Sequence, residues 1–461
     1  MAAYATHNRG SDISYTSVAS TTTGVPRYHV VVRLFVDPSN PVLSEIIQLL
    51  ASHGDCGSAS TSSFSTTINR QQFSPGLLQS CTTGLPTPYN VSLYETDLDL
   101  PTGRWTLSFT GENRLANIVN VANSVNTNLS ISAYLDNTLA AQDASPKFES
   151  VLMPSFNGTA VPPYSFSAFD TDADSLRYEF VTPQQVAGGV LGANAGACSQ
   201  VLPGYQAPPH FTLNSSTGAL VPATPSGQQG YYAAAVRVSE YRRLGGQWQL
   251  IGYVVRDLTY LTVASTNQAP TFTSLSVNGG AAQQPGQPIA ARPGQTVRLV
   301  LTAADPDASQ QLRFASDAPG VVPGLSLSTL SGTQAQLTWQ VPATLPPGRY
   351  AVPVAVLDNG CPNNASEDRT LVFVVTNQAL ATRPATNAES QAYPVPFREQ
   401  VQFQAAPGQA ITLVDALGRV VARLSADASG RVLWQPGAGL PAGLYLARAT
   451  DGRALARLLH E

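Results

Sequence analysis

Aspartates recur at alternate positions in two turns of this sequence, and these turns carry its clearest potential for chemistry. The residues are Asp170, Asp172 and Asp174 in the first turn and Asp305 and Asp307 in the second. Carboxylates spaced in this way can direct several oxygen atoms at one hard cation such as calcium. An EF-hand is excluded in the first turn, because its sixth position is Ser175 instead of glycine and its twelfth is Val181 instead of glutamate.

The same aspartates have a second role open to them. An aspartate side chain in a turn accepts hydrogen bonds from the backbone amides that follow it, and such a solvated turn needs no metal. A calcium site and a self-bonded turn are both consistent with the sequence. If calcium binds, we expect a dissociation constant on the order of 10⁻⁴ to 10⁻³ M, the range of extracellular modules.

Motifs of catalysis are missing from the sequence. It has no G-x-S-x-G elbow, no H-E-x-x-H pair and no phosphate-binding loop. Its five histidines are scattered without the spacing of metal ligands. Carboxylates from separate strands could pair to hydrolyse a glycoside, but nothing in the sequence places them together. We predict that the chain is not an enzyme.

Composition narrows the class further. A chain of 461 residues is expected to hold three or four domains. Its 36 glycines and 35 prolines accompany 43% hydrophobic residues, which favours many short strands over disorder. Only 12% of residues are charged and the net charge is -4, which argues against nucleic acid as a partner. No run of 18 apolar residues occurs, so the sequence predicts no membrane-spanning segment.

Alternating apolar and polar residues predict strands in every part of the chain. Clear examples are residues 28–37, 104–109 and 232–238. At residues 41–51 a proline followed by several aliphatic residues predicts a short helix instead. The fold class that follows is all-β.

The short motif that opens the second predicted region occurs again at the start of the third. Pro146 and Phe148 form a Pro-x-Phe start before the first acidic turn, and Pro270 and Phe272 form another before the second. The copies lie about 120 residues apart, a spacing that suits tandem β-sandwiches. The predicted modules are residues 10–142, 143–265, 266–377 and 392–461, with a linker at 378–391.

Four motifs follow one another in the second of these regions. They are D-x-D-x-D-S-L-x-Y from Asp170, T-x-x-x-x-T-G from Thr212, E-Y-R from Glu240 and I-G-x-x-x-R-D from Ile251. In this order they resemble modules of a group of large Bacteroidetes surface proteins, which are cadherin-like or immunoglobulin-like sandwiches. The first region resembles the N-terminal module of the same group, although its Asn113-Arg114 pair is inverted relative to the group's pattern.

The resemblance to cadherin-like repeats implies a set of calcium ligands. Such repeats place a D-x-D pair near a module boundary and share the ion with an acidic or asparagine residue of the adjoining linker. The ligands implied here are Asp170, Asp172, Asp174, Asp305, Asp307 and Asp358, with Asn267 as a further candidate. Calcium is the only cofactor that we expect.

The end of the chain carries a different set of motifs. Tyr393-Pro-Val-Pro-Phe397 is followed by a D-x-x-G-R-x-V segment from Asp415 and an L-x-x-G-x-Y segment from Leu440. This order resembles the C-terminal sorting domain of Bacteroidetes type IX secretion cargo, although Val395 replaces the usual asparagine and the common terminal lysines are missing. The resemblance implies a small sandwich and a partnership with the type IX secretion machinery. The alternative is an immunoglobulin-like module without a sorting role.

Location follows from that resemblance. Sorted cargo is displayed on the outer surface or released, after crossing the inner membrane by an N-terminal signal. The first residues lack the charged start and apolar centre of a signal, so we expect the true start upstream. The rival explanation is that the protein stays in the cell.

The cysteines show no C-x-x-C spacing and therefore predict no zinc site. Cys56 and Cys81 lie in one region, where a bridge would stabilise the fold by roughly 3.5 kcal/mol. We expect Cys198 and Cys361 to be single thiols, with a pairing between them left open.

The tryptophans divide into core residues and one exposed candidate. Trp105, Trp339 and Trp434 lie in alternating strands and are expected in cores, whereas Trp248 follows two glycines and reads as a hairpin tip. We predict a secreted or surface-displayed multi-module protein with an adhesion or structural role and an unknown extracellular partner. The alternative is an extracellular polysaccharide-binding protein, with Trp248 as the stacking residue.

Overall fold

The protein divides into two compact units, Met1–Ala379 and Leu380–Glu461. The structure, a computed structural model, describes residues 8–37, 45–54, 63–76, 89–150, 155–157, 162–186, 199–223, 228–361, 363–377, 392–415, 418–437, 439–449 and 454–461. Within these residues no helix is long and apolar enough to cross a membrane. The division between the units falls in the segment predicted as a linker.

The described residues of the first region form seven strands and one 3₁₀ turn, Ser124–Asn126. The strands are β1 (Asn8–Val18), β2 (Arg27–Val36), β3 (Ile46–His53), β4 (Ser63–Pro75), β5 (Asn90–Asp99), β6 (Arg104–Asn113) and β7 (Asn128–Asp136).

The second region combines short strands with one long hairpin. The strands are β8 (Lys147–Phe148), β9 (Ser155–Asn157), β10 (Tyr164–Ser165), β11 (Ala168–Phe169), β12 (Ser175–Val181), β13 (Gln184–Val186), β14 (Ser199–Val201), β15 (Phe211–Leu213), β16 (Ala219–Pro222), β17 (Gly230–Leu244) and β18 (Gln247–Val263).

The third region holds eight strands and a second 3₁₀ turn, Ala318–Gly320. The strands are β19 (Thr271–Val277), β20 (Ile289–Ala291), β21 (Thr296–Ala304), β22 (Arg313–Ala315), β23 (Leu325–Ser331), β24 (Gln334–Gln340), β25 (Gly348–Leu357) and β26 (Ser366–Val375).

Six further strands lie in the second unit. They are β27 (Val401–Gln404), β28 (Ala410–Asp415), β29 (Val420–Ser425), β30 (Arg431–Trp434), β31 (Gly443–Ala449) and β32 (Ala454–His460).

The first region is one curved sheet in the order β1-β2-β5-β4-β3-β6-β7, and both of its edge strands pair with β18. Residues 256–258 of β18 pair with β1, and residues 252–254 pair with β7. The strands form because alternate side chains are apolar: Tyr28, Val30 and Val32 of β2 are all fully buried. Closing both edges on one strand leaves neither β1 nor β7 exposed there.

The long hairpin β17–β18 belongs to the first and second regions together. One side of β18 pairs with β1 and β7, while the other pairs with β17 over its whole length. β12 then pairs with the far side of β17. Residues 232–236 of β17 are all buried, which shows that both faces of this strand are covered. The predicted boundary at residues 142 and 143 therefore does not separate two independent sheets.

The third region is a sandwich of two four-stranded sheets. One sheet has the order β19-β21-β24-β23 and the other β20-β26-β25-β22. Trp339, fully buried, packs edge-on against Phe373 at 4.8 Å between ring centroids. The core of this sandwich lies between the sheets, where alternate residues of each strand point inward.

The second unit also has two sheets, β27-β30 and β29-β28-β31-β32. Its core contains Phe397, Trp434 and Tyr445, and the Trp434 and Tyr445 rings lie 5.6 Å apart. The described residues thus give six strands around one core.

Two sequence predictions are corrected by the structure. The helix predicted at residues 41–51 is strand β3 from Ile46 onward, because pairing with both β4 and β6 satisfies its backbone and buries alternate aliphatic residues. Cys361, expected as a single thiol, is disulfide-bonded. The predicted pairing of Cys56 with Cys81, and Cys198 as well, lie outside the described residues.

Candidate cation sites

The first acidic turn joins β11 to β12 and is held by its own aspartate. Asp170 Oδ1 accepts hydrogen bonds from the backbone amides of Asp172 at 2.8 Å and Asp174 at 3.3 Å. The side chain is buried, and burial together with the neighbouring Asp174 and Asp172 raises the pKa of Asp170 to about 8. The self-bonded turn considered above is therefore present.

Two further carboxylates meet this turn, and the sequence did not identify either one. Asp143 comes from the segment before β8, and Glu240 comes from β17. Oxygen atoms of Asp143, Asp174 and Glu240 lie within 4.8 Å of one another, the only such trio of His, Cys, Asp or Glu ligands that the described residues form. We call these three residues, with Asp170 and Asp172, the second-region cluster.

Glu240 is fully buried in this cluster and only half satisfied. The hydroxyl of Tyr15 donates a hydrogen bond to Oε1 at 2.8 Å, whereas Oε2 has no hydrogen-bond partner. Burial, followed by the charge of Asp143, raises the pKa of Glu240 well above its usual value. Burial also raises the pKa of Asp143 to about 6, against the opposing effect of Arg242.

Arg242 places its guanidinium among the carboxylates. Nη2 lies 2.6 Å from Asp143 Oδ1, 2.5 Å from Asp174 Oδ2 and 3.3 Å from Asp172 Oδ2. Nε donates to Asp174 Oδ1 at 2.8 Å, so the contact with Asp174 is bidentate. A cation is thus already present where the sequence predicted calcium ligands.

Gly252 makes room for Glu240. The two residues face each other across the β17–β18 ladder. A Cβ at Gly252 would lie 2.0 Å from Glu240 Oε1 and 2.3 Å from the Tyr15 hydroxyl. The glycine of the I-G-x-x-x-R-D motif is therefore required by this close approach.

The arginine and aspartate of the same motif form buried ion pairs. Arg256 Nη2 lies 2.8 Å from Asp12 Oδ2 on β1. Asp257 Oδ2 lies 2.6 Å from Arg114 Nη2, a contact that the sequence motifs did not predict. These contacts fix the first-region sheet on β18, so the motif residues have a structural function.

The second acidic turn follows β21 and forms another group of polar residues. Asp305 Oδ1 accepts the amide of Asp307 at 2.7 Å. Asp307 Oδ2 accepts the amide of Gln268 at 2.8 Å and, more weakly, Nε2 of Gln310 at 3.3 Å. Gln310 Nε2 also donates to Asn267 Oδ1. The linker residue predicted as a ligand, Asn267, does reach this turn.

Asp358 completes that group from the end of β25. Its Oδ2 accepts Nδ2 of Asn267 at 3.0 Å, and its Oδ1 accepts the amides of Gly360 at 3.0 Å and Ala365 at 2.9 Å. Burial raises the pKa of Asp358 to about 6 despite these donors. We call Asn267, Asp305, Asp307, Gln310 and Asp358 the third-region cluster.

The third-region cluster lacks a cation of its own. Among the residues that the structure describes, no arginine, lysine or histidine forms an ion pair with Asp305, Asp307 or Asp358. Asp305 Oδ2 and Gln310 Oε1 are buried without a hydrogen-bond partner. Burial raises the pKa of Asp305 as well. The six predicted ligands therefore fall into two groups with different electrostatics.

Besides the two clusters, a pair of acidic residues, Glu149 and Asp368, lies where the second and third regions meet. Glu149 is fully buried, and neither of its carboxylate oxygens has a hydrogen-bond partner. Asp368 on β26 accepts the Ser150 hydroxyl at 2.9 Å through Oδ2, while its Oδ1 has no partner. Burial raises the pKa of Asp368 to about 8, and burial followed by the charge of Asp368 raises the pKa of Glu149 well above its usual value.

The tryptophans lie where the sequence predicted. Trp105, Trp339 and Trp434 are buried. Trp248 is 62% exposed beside the two-glycine turn of the β17–β18 hairpin, and it faces Arg243 across the ladder. Leu250, two residues along the same strand, is also exposed.

No protein-family model and no curated protein matches the chain. Several solved structures of tandem domains share low similarity with the chain. The titin domains Z1Z2, crystallised with telethonin, share 15% identity over 43% of this chain and 98% of theirs, with a TM-score of 0.16. Human protocadherin-24 EC1-2 shares 13% over 51% of this chain and 100% of its own, with a TM-score of 0.16.

The D1–D4 ectodomain fragment of ICAM-5 shares 13% identity over 90% of this chain and 95% of its own, with a TM-score of 0.15. The fold class follows from the chain's own strands and sheets, because the described residues form 32 strands in several sheets and no α-helix. The predicted fold class, all-β with tandem sandwich modules, is confirmed.

Proposed function

We propose that this chain is a secreted or surface-displayed protein whose β-sandwich modules serve adhesion or structural display. The observation that carries the proposal is the architecture of the first unit. Its sheets are continuous across one module boundary through β18, and Ser150 and Asp368 bond across the next. Modules joined by buried contacts suit a protein that spans distance or bears load.

Delivery by the C-terminal module is the second part of the proposal. Its motif residues support the fold of that module: Arg419 pairs with Asp415 at 2.7 Å across a turn, and the Tyr445 hydroxyl donates to Pro441 O at 2.7 Å. In contrast, Tyr393 is 71% exposed and available to a sorting receptor.

Fractionation of a type IX-competent host tests delivery. The full chain and a version ending at residue 390 are expressed with the same N-terminal export signal. The full chain should reach the surface or medium without its last module, whereas the shortened chain stays in the periplasm. Retention of both at full length inside the cell would remove the sorting proposal.

The third part of the proposed function is calcium binding at the third-region cluster. Its support is the pair of buried oxygens without donors, Asp305 Oδ2 and Gln310 Oε1, beside the carboxylates of Asp307 and Asp358. No basic residue in the described part of the chain pairs with these carboxylates. Carboxylate and amide oxygens are the ligands that calcium prefers. Free calcium at about ten times its dissociation constant should stabilise the first unit by about 1.4 kcal/mol.

Differential scanning calorimetry in EDTA and in millimolar calcium tests this part. The calcium-dependent rise in Tm of the first unit should disappear in Asp305→Asn. Asp427→Asn, which alters a self-bonded turn of the second unit, is the matched control. An equal rise in wild type and Asp305→Asn would show that calcium acts elsewhere.

Polysaccharide binding is a second candidate function, favoured by the exposure of Trp248. Exposed aromatic rings bind the apolar faces of sugars. Affinity electrophoresis in acidic and neutral polysaccharides should show retardation that Trp248→Ala removes and that Leu330→Ala, an exposed residue near another hairpin turn, leaves intact. Equal mobility of all three proteins would reject this candidate.

A further inference from the structure

We propose that Arg242 is a built-in cation that holds the second-region cluster without metal, and that the cluster becomes a calcium site when the guanidinium is removed. The contrast with the third-region cluster rests on the calcium proposal above. The role of Arg242 itself does not.

The two clusters are built from corresponding positions of the repeated modules. Asp143 lies three residues before Pro146, and Asn267 lies three residues before Pro270. Asp143 and Asn267 each lie beside an acidic turn and a carboxylate from a long hairpin. That carboxylate is Glu240 of β17 in the second region and Asp358, which follows β25, in the third. The same arrangement therefore occurs twice, with different groups filling its centre.

The group at the centre of each cluster differs in charge between the second and third regions. In the second region Arg242 supplies a guanidinium with contacts to three aspartates, at 2.5 to 3.3 Å. In the third region Gln310 supplies a neutral amide, which donates to Asn267 Oδ1 and Asp307 Oδ2. Guanidinium is permanently charged and matches carboxylate geometry, so it can replace a metal as the counter-ion.

Arg242 nevertheless leaves two buried carboxylate oxygen atoms of the cluster without a hydrogen-bond partner. Glu240 is fully buried and its Oε2 has no partner, and Asp170 Oδ2 is likewise buried without one. Five carboxylates share this cluster with one arginine. A divalent ion could use these oxygens together with those that Arg242 releases, because calcium binds several oxygen ligands at once.

Arg242→Gln in the full chain tests the inference, since glutamine reproduces the amide filling of the third region. Calcium titration calorimetry should give one more binding event than wild type, with a dissociation constant on the order of 10⁻⁴ to 10⁻³ M. In EDTA the variant should melt below wild type, and calcium should restore part of the loss. Arg243→Gln, whose side chain donates to Gly246 O at 3.2 Å, is the matched control.

Further variants separate this inference from the calcium proposal. Asp305→Asn should remove the wild-type binding event and leave the event gained by Arg242→Gln. The double variant Arg242→Gln/Glu240→Gln should lose the gained event alone. If wild type binds no calcium, the calcium proposal for the third region fails. The additional calcium-binding event in Arg242→Gln would still test the role proposed for Arg242.

Two results would overturn the inference. One is an Arg242→Gln protein with the same number of calcium-binding events as wild type. The other is loss of wild-type calcium binding in Asp174→Asn, which would place metal beside the arginine. If Arg242→Gln is insoluble in EDTA, its yield in millimolar calcium replaces the melting curve: recovery supports the inference and failure to recover contradicts it.

Discussion

Gly252 is a position where one added methyl group would disturb a buried network. The methyl of Gly252→Ala would meet Glu240 Oε1 at 2.0 Å and the Tyr15 hydroxyl at 2.3 Å. We expect a loss of about 1 to 3 kcal/mol in the free energy of unfolding, the cost of overpacking a tight site. Urea denaturation measures it. Gly332→Ala, which meets nothing within 4 Å, is the control, and equal stability of both variants would show that the network adjusts freely.

Buried acids predict a stability that falls as pH rises. Burial raises the pKa of Asp368 and of Asp170 to about 8, above the ordinary value of 3.8 that the unfolded chain retains. Between those values the folded protein holds protons that the unfolded chain has released. The stabilisation is therefore complete below about pH 4 and is lost as pH rises towards 8.

Urea denaturation in EDTA at pH 5, 7 and 9 tests that dependence. Wild type should become less stable at each step, and Asp368→Asn should show a shallower decline because its amide does not titrate. Wild-type stability that increases from pH 5 to pH 9 would contradict the assignment of these acids as protonated. An equal slope in wild type and variant would contradict the part assigned to Asp368.

Among the strands, β18 determines whether the first region can fold as a separate fragment. The edge strands β1 and β7 both pair with it, and Arg256 and Asp257 on it form buried ion pairs with the first-region sheet. A fragment of residues 8–142 lacks β18. We expect the fragment to remain unfolded or to aggregate, because two strand edges and two buried charges lose their partners.

The heteronuclear NMR spectrum of that fragment measures the outcome. A fragment of residues 8–265, which retains β18, is the matched comparison and should give the better-dispersed spectrum. Well-dispersed signals from residues 8–142 alone would mean that the first region is an independent module, as the sequence predicted.

At the scale of the whole molecule, the two units have separate cores. Within the described residues, the buried core of the second unit is formed by residues 397–458, and the other cores are formed by residues of the first unit. We expect scanning calorimetry of the full chain to show separable transitions. Ending the chain at residue 390 should remove one transition and leave the Tm of the rest unchanged. A single cooperative transition would instead show that the units stabilise each other.

Residues close together along the chain are enough to predict the all-β class, the buried tryptophans and the exposed hairpin tip at Trp248. These features depend on alternation along single strands and on local turn residues, which are written in consecutive positions. The acidic turns were equally visible, because Asp170 and Asp305 bond to amides only two to four residues away.

The residues that contact those acidic turns are known only from the tertiary structure. Arg242 lies 68 residues from Asp174 along the chain and Glu240 lies 225 residues from Tyr15, so no local pattern links them. Sharing of β18 between two regions also depends on strand pairing across more than 200 residues, from Asp12 to Arg256. Spacing in a sequence shows which carboxylates can converge, but the cation that meets them is set by contacts between distant strands.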